Sequence, residues 1–127
     1  MVADTREAFD RFLSDDGPCA VKHKRLDYKK AISVIVKSGG VPVLAHPGTM
    51  GKDEYISDYI KAGLKGIEVF HYKHRIAANR RYGRICGRYG LIATGGSDCH
   101  GGDEQDILMG RVPLKYDIVE KLREQKP

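Results

Sequence analysis

Apolar positions along this chain alternate between helical spacing and short unbroken runs, and the changes of period mark out its elements. Tyr28, Ala31, Ile32, Ile35 and Val36 recur at three- and four-residue steps, which predicts one face of a helix opened by Asp27 and stopped at Gly39-Gly40. Tyr55, Ile56, Tyr59 and Ile60 repeat the pattern after Asp53 and Glu54, with Gly63 as the stop. Ala78, Tyr82, Ile85, Cys86 and Tyr89 form a third stripe, closed by Gly90. A short first helix passes through Phe9, Phe12 and Leu13 behind the capping-box-like pair Asp4 and Glu7, and SDDGP breaks it. A last helix starts at Asp117 and Glu120 and runs through Ile118, Val119 and Leu122. Three apolar runs lie between these helices: VPVLA, GIEVF and LIAT.

Strands that are apolar throughout, separated by amphipathic helices, predict an α/β protein whose parallel sheet is covered by helices. Short connections then imply right-handed crossovers. Val43, Leu44, Ile67, Val69, Leu91 and Ile92 are the expected strand core, with Ile32, Ile35, Ile60, Tyr82 and Ile85 packing over them. Three strands make a thin sheet, so the unit has the look of part of a larger α/β barrel or sheet.

Composition narrows the class further. The chain has 127 residues, one domain by length, and its 41% hydrophobic and 31% charged residues are those of a soluble globular protein. No apolar run approaches the roughly 20 residues of a membrane span, so no membrane partner is expected. The amino-terminal stretch carries acids and lacks the apolar core of a signal peptide. Three cysteines (Cys19, Cys86 and Cys99), an odd number without CxxC spacing, point to reduced thiols and a cytoplasmic location. The net charge of +5 favours an anionic partner without identifying one.

Candidate chemistry gathers where parallel sheets keep their active sites, at the carboxyl ends of the strands. Those ends read LAHPG, EVFHYKH and ATGGSDCHG, and each delivers a histidine. Pro47 should hold His46 extended at the rim. Asp98 and His100, two apart, share a side if their segment stays extended, and Gly95-Gly96 would let the backbone approach whatever the pair binds. Neutral imidazoles and a carboxylate suit Mn²⁺, Fe²⁺ or Zn²⁺. Taken singly, each residue is more commonly a polar rim side chain or a turn residue; three at one edge favour a site.

GGVPVLAHPG, followed by GIEVF, ANRRYGRICGRYGLIATGGSDCHG and MGRVPL, resembles the carboxyl-terminal portion of the PHP (polymerase and histidinol phosphatase) family of metal-dependent phosphoesterases. The resemblance runs from about Phe9 to Leu114 and is strongest to the subgroup acting on nucleoside 3′,5′-bisphosphates and, from the 5′ end, on short oligonucleotides. It implies a distorted (β/α) barrel holding a cluster of divalent ions, Mn²⁺ foremost with Zn²⁺ or Fe²⁺ as alternatives, with His46, Asp98 and His100 as metal ligands. Such members begin with a His-x-His strand, and no His-x-His occurs in this chain. A complete α/β barrel has roughly 250 residues. The expectation is therefore a partial barrel whose amino-terminal half is absent, with residues 1–26 ending an insertion and residues 27–127 forming the carboxyl-terminal part.

The implied reaction is hydrolysis of a nucleotide or oligonucleotide phosphate ester by metal-activated water, with no catalytic residue beyond the ligands. A histidinol-phosphate-like phosphatase, or a non-catalytic remnant used for assembly or nucleic-acid binding, are the alternatives. Taken alone the chain should be inactive, with the missing barrel half as its partner and an exposed sheet edge open to self-association. His74, His71 and Lys22 are candidates for substrate contact, each with a solvent-facing alternative. Glu68 either orients a ligand or faces a basic neighbour. Cys99 should pack as a small apolar residue. Arg81, Arg84 and Arg88 share a helix face that reads first as solvated and second as a guide for an oligonucleotide.

Overall fold

In the computed structural model, which describes residues 2–21, 26–101 and 109–126, three parallel strands lie in the order β1-β2-β3: Val43–Leu44, Gly66–His71 and Ile92–Gly96. Parallel neighbours need crossovers, and helices supply them. Between β1 and β2 run α3 (Pro47–Met50), a 3₁₀ turn at Asp53–Tyr55 and α4 (Ile56–Lys61); between β2 and β3 runs α5 (Ile76–Tyr89). α2 (Tyr28–Lys37) precedes β1, and α6 (Asp117–Glu124) follows β3. The α/β architecture with parallel strands flanked by helices is thus the one the periodicity predicts. Among the described residues, no helix is long and apolar enough to cross a membrane.

Local chemistry accounts for the helix ends. Asp27 caps α2 by accepting the Lys29 amide, and Asp4 caps the short α1 (Thr5–Ala8) by accepting that of Glu7. The Glu7 carboxylate reaches back to the Ala3 amide at 2.7 Å, completing a box-like cap. A π-helical turn, Phe9–Leu13, extends α1 and leaves Phe9 and Leu13 exposed. Gly90 ends α5 in the left-handed conformation that glycine adopts without steric cost.

The core lies between the sheet and helices α4 and α5. Ile56, Leu64, Ile67, Val69, Tyr82 and Cys86 are buried together, with Leu44, Ile60, Ile85 and Leu91 half-buried against them. Ile32 and Ile92 are also buried. Other expected core positions open outward. Ile35 remains 40% exposed and Val36 lies beside it in the open, because α2 reaches inward through Ile32 and, at its start, through Tyr28 stacked edge-on against Tyr59. Tyr55 is exposed in the 3₁₀ turn, where the helical stripe has not yet begun. Tyr89 is exposed in the last turn of α5, beyond the edge of the core.

Strand boundaries shift towards the site. β1 shortens to two residues, β2 extends to His71, and β3 starts at Ile92 and carries on through Gly95 and Gly96. A β-bulge interrupts the β2–β3 register between Glu68 and Phe70. Beyond it, Gly95 pairs with Phe70 so closely that a Cβ would sit 2.5 Å from the Phe70 carbonyl oxygen and 2.8 Å from Leu114. Gly95 therefore serves strand packing, where a ligand approach was expected, while a Cβ on Gly96 would meet only the Glu68 carboxylate, at 3.0 Å.

Candidate functional site

His71 is the centre of the strand-end cluster. In β2, Ile67, Val69 and His71 are buried while Glu68 and Phe70 between them are not, so the two-residue alternation carries an imidazole to the buried face. Its side chain is 0% exposed. The His46 ring lies 5.5 Å away, the His74 ring 5.2 Å and the Tyr72 ring 4.7 Å, centroid to centroid. Asp98 Oδ2 stands 3.7 Å from His71 Nε2. Burial pushes the His71 pKa down, with His74 and His46 acting in the same direction against the opposing pull of Glu68 and Asp98. His71 is consequently neutral near pH 7.

Hydrogen bonds decide where the imidazole protons sit. His71 Nδ1 accepts the Lys73 amide at 3.3 Å, which puts the ring proton on Nε2, an atom without a hydrogen-bond partner. The Thr49 hydroxyl gives its one proton to the His46 carbonyl at 2.9 Å, so the 3.0 Å contact between its oxygen and His46 Nδ1 is donated by the ring. His46 Nε2 is then left with a lone pair. His100 reaches the same state, its Nδ1 donating to the Asp98 carbonyl at 2.7 Å. A ligating histidine uses its second nitrogen in this way.

His74 behaves differently. Nδ1 donates to the Val69 carbonyl at 2.9 Å and Nε2 accepts the Gly48 amide at 3.1 Å. Both ring nitrogens are taken by backbone, so His74 ties the α3 loop to β2 and offers no ring donor to a substrate phosphate. Glu68 Oε2 accepts the His46 amide at 2.8 Å, across from β2 to the end of β1. Lys22 lies outside the described residues.

His46 and Asp98 are the two non-glycine residues with positive φ among those described, at 30° and 52°. Neither segment is extended as the sequence suggested. Pro47 disfavours the right-handed helical region for His46, and in the left-handed one the residue meets the Glu68 carboxylate and Thr49. Aspartate and histidine tolerate that region better than most residues, and such conformations cluster at functional sites.

Parallel topology brings His46, after β1, and Asp98 and His100, after β3, to one end of the sheet. It does not bring the three to a common point: among the described residues, no group of three His, Cys, Asp or Glu side chains is arranged to hold a metal ion. The donor set suits a divalent cation in its chemistry, with two bare imidazole nitrogens and a carboxylate. Arg81 of the basic helix face turns to Asp53 at 2.8 Å and to the Tyr82 hydroxyl at 2.9 Å, while Arg84 and Arg88 stay exposed.

Comparison with known proteins places the chain among phosphate-ester hydrolases by similarity. The chain is 37% identical over 108 residues to the phosphoribosyl 1,2-cyclic phosphate 1,2-diphosphodiesterase of Eggerthella lenta, across 85% of this chain and 39% of that protein. It is 36% identical over 104 residues to the 3′,5′-nucleoside bisphosphate phosphatase of Chromobacterium violaceum, across 78% of this chain and 36% of that protein. No family model matches. A crystal structure from Bifidobacterium adolescentis, assigned as a metal-dependent phosphoesterase, superposes with a TM-score of 0.78 at 26% identity, over 96% of this chain and 44% of that one. An amidohydrolase from Chromobacterium violaceum, solved with sulfate and no metal, superposes with a TM-score of 0.69 at 31% identity, over 97% and 45%. The chain is thus similar to two curated phosphate-ester hydrolases, a metal-dependent phosphoesterase and an amidohydrolase, and spans less than half the length of each protein it matches.

Proposed function

We propose that this chain is the carboxyl-terminal part of a PHP-type phosphoesterase that hydrolyses phosphate esters of nucleotides or short oligonucleotides. His46, Asp98 and His100 bind divalent ions there, Mn²⁺ foremost, and residues 27–127 belong to a barrel completed by a segment outside this chain. Residues 1–26 end an insertion, a reading supported by α1 and its π turn packing chiefly on each other. A cytoplasmic setting and pairing through the open sheet edge belong to the same proposal.

One observation carries it: the left-handed backbone at His46 and Asp98, two residues 52 positions apart that resemblance had singled out as ligands. Bound divalent ions would supply an activated water and neutralise charge on the phosphate. The chain's own residues do the positioning. Thr49 fixes the His46 tautomer, Glu68 holds the His46 amide, and His74 secures the loop that carries both.

The test is hydrolysis of a nucleoside 3′,5′-bisphosphate by the complete protein with Mn²⁺. Asp98→Ala and His46→Ala should each lower turnover by ~100-fold or more while the protein still folds, since removing a ligand disables metal-assisted hydrolysis. Full activity in both variants would remove the metal-site reading.

A further inference from the structure

We propose that His71 is a positioning residue for Asp98: its buried Nε2–H holds one carboxylate oxygen so that the other faces the metal. The inference rests on the metal-site reading above and adds a residue that does not itself touch metal or phosphate.

Three facts converge on this role. The His71 ring is wholly enclosed, and the Lys73 amide on Nδ1 leaves Nε2 as the protonated nitrogen. That N–H has no hydrogen-bond partner, although buried polar groups are nearly always satisfied. Asp98 Oδ2 is the acceptor that faces it, at 3.7 Å, too long for a hydrogen bond. The Asp98 side chain is one-third exposed and its backbone is left-handed, so a modest rotation of the exposed partner closes the gap while the enclosed ring stays fixed. His71 itself is not the ligand in this arrangement, because its outward nitrogen carries a proton in place of a lone pair.

Amide replacements separate this role from a structural one, because glutamine places an N–H near the Nε2 position and asparagine places its amide near Nδ1. The measurements are Mn²⁺ affinity by isothermal titration and thermal unfolding, made on the complete protein with His71→Gln, His71→Asn and His71→Phe. Mn²⁺ affinity should be near normal in His71→Gln and fall by about 10-fold or more in His71→Asn and His71→Phe, the range seen when a ligand's supporting group is lost. A role limited to accepting the Lys73 amide would give the reverse order, with asparagine the better substitute, and would overturn the proposal. If the Phe variant fails to fold, the Gln and Asn pair still decides. Asp98→Ala and His46→Ala are measured alongside. Should neither weaken Mn²⁺ binding, the metal-site reading fails and the inference with it; should both weaken it while the His71 series is flat, the inference alone fails. Long-range ¹H–¹⁵N spectra supply a metal-free check, since a His71 proton found on Nδ1 would also overturn it.

Discussion

At the residue scale, the site was partly legible because its histidines and Asp98 sit at strand ends that periodicity locates. What was not legible is which nitrogen each ring presents. His46, His71, His74 and His100 are alike in sequence, yet Nδ1 donates in His46, His74 and His100 and accepts in His71, and only His74 has both nitrogens taken by backbone. His71 could have been placed better, since the buried alternation of Ile67 and Val69 runs straight into it. Gly95 is the opposite case: its sequence context suggested room for a ligand, but the neighbouring strand fills that space. Gly95→Ala puts a Cβ 2.7 Å from Phe70 Cβ as well as against its carbonyl. Overpacking of this kind costs about 1–3 kcal/mol, so the denaturation midpoint should drop clearly, and an unchanged midpoint would show that the bulge relaxes to admit a methyl group.

At the element scale, α5 shows how far periodicity reaches. Of the stripe it marked, Tyr82 and Cys86 are buried, Ala78 and Ile85 only half-buried, and Tyr89 in the last turn is exposed. Burial of that stripe sets an alkaline limit on stability. Desolvation raises the Tyr82 pKa, aided by its 2.7 Å hydrogen bond to Asp53 and opposed by Arg81, and desolvation likewise raises that of Cys86. For both groups the folded state keeps a proton that the unfolded chain releases above the ordinary values of 10.0 and 9.0. Stability from them is therefore complete below about pH 9 and is lost as pH rises through the raised values. Unfolding free energy measured from pH 8 to 11 should fall, first through Cys86 and then more steeply through Tyr82. Tyr82→Phe should remove the second part of the fall, and a variant with the wild-type slope would contradict this assignment.

At the scale of the whole molecule, the three-stranded parallel sheet was readable from the order of apolar runs, whereas the exposure of α2 was not. Val34, Ile35 and Val36 are open because burial depends on what lies across the helix, and hydrophobic pattern cannot name that element. The described sheet also ends at β1, an edge strand of two residues, and an uncovered edge is a template for further pairing. Self-association that grows with concentration is expected by light scattering, and a monodisperse monomer at high concentration would count against it. The share of its relatives that the chain spans bears on activity. This chain corresponds to 36–39% of its phosphoesterase relatives, and its described donors form no three-membered metal group. Donors that do not converge leave an ion with open coordination positions that fill with water, and the attacking oxygen goes unpositioned. These 127 residues alone should thus show no turnover of a nucleoside 3′,5′-bisphosphate in excess Mn²⁺. Mixing with the separately expressed amino-terminal half of the Chromobacterium violaceum phosphatase should restore some hydrolysis, and that recovery should vanish with Asp98→Ala. Turnover by the isolated chain that survives Asp98→Ala would mean that the catalytic groups lie elsewhere in it and that the strand-end cluster is a structural feature.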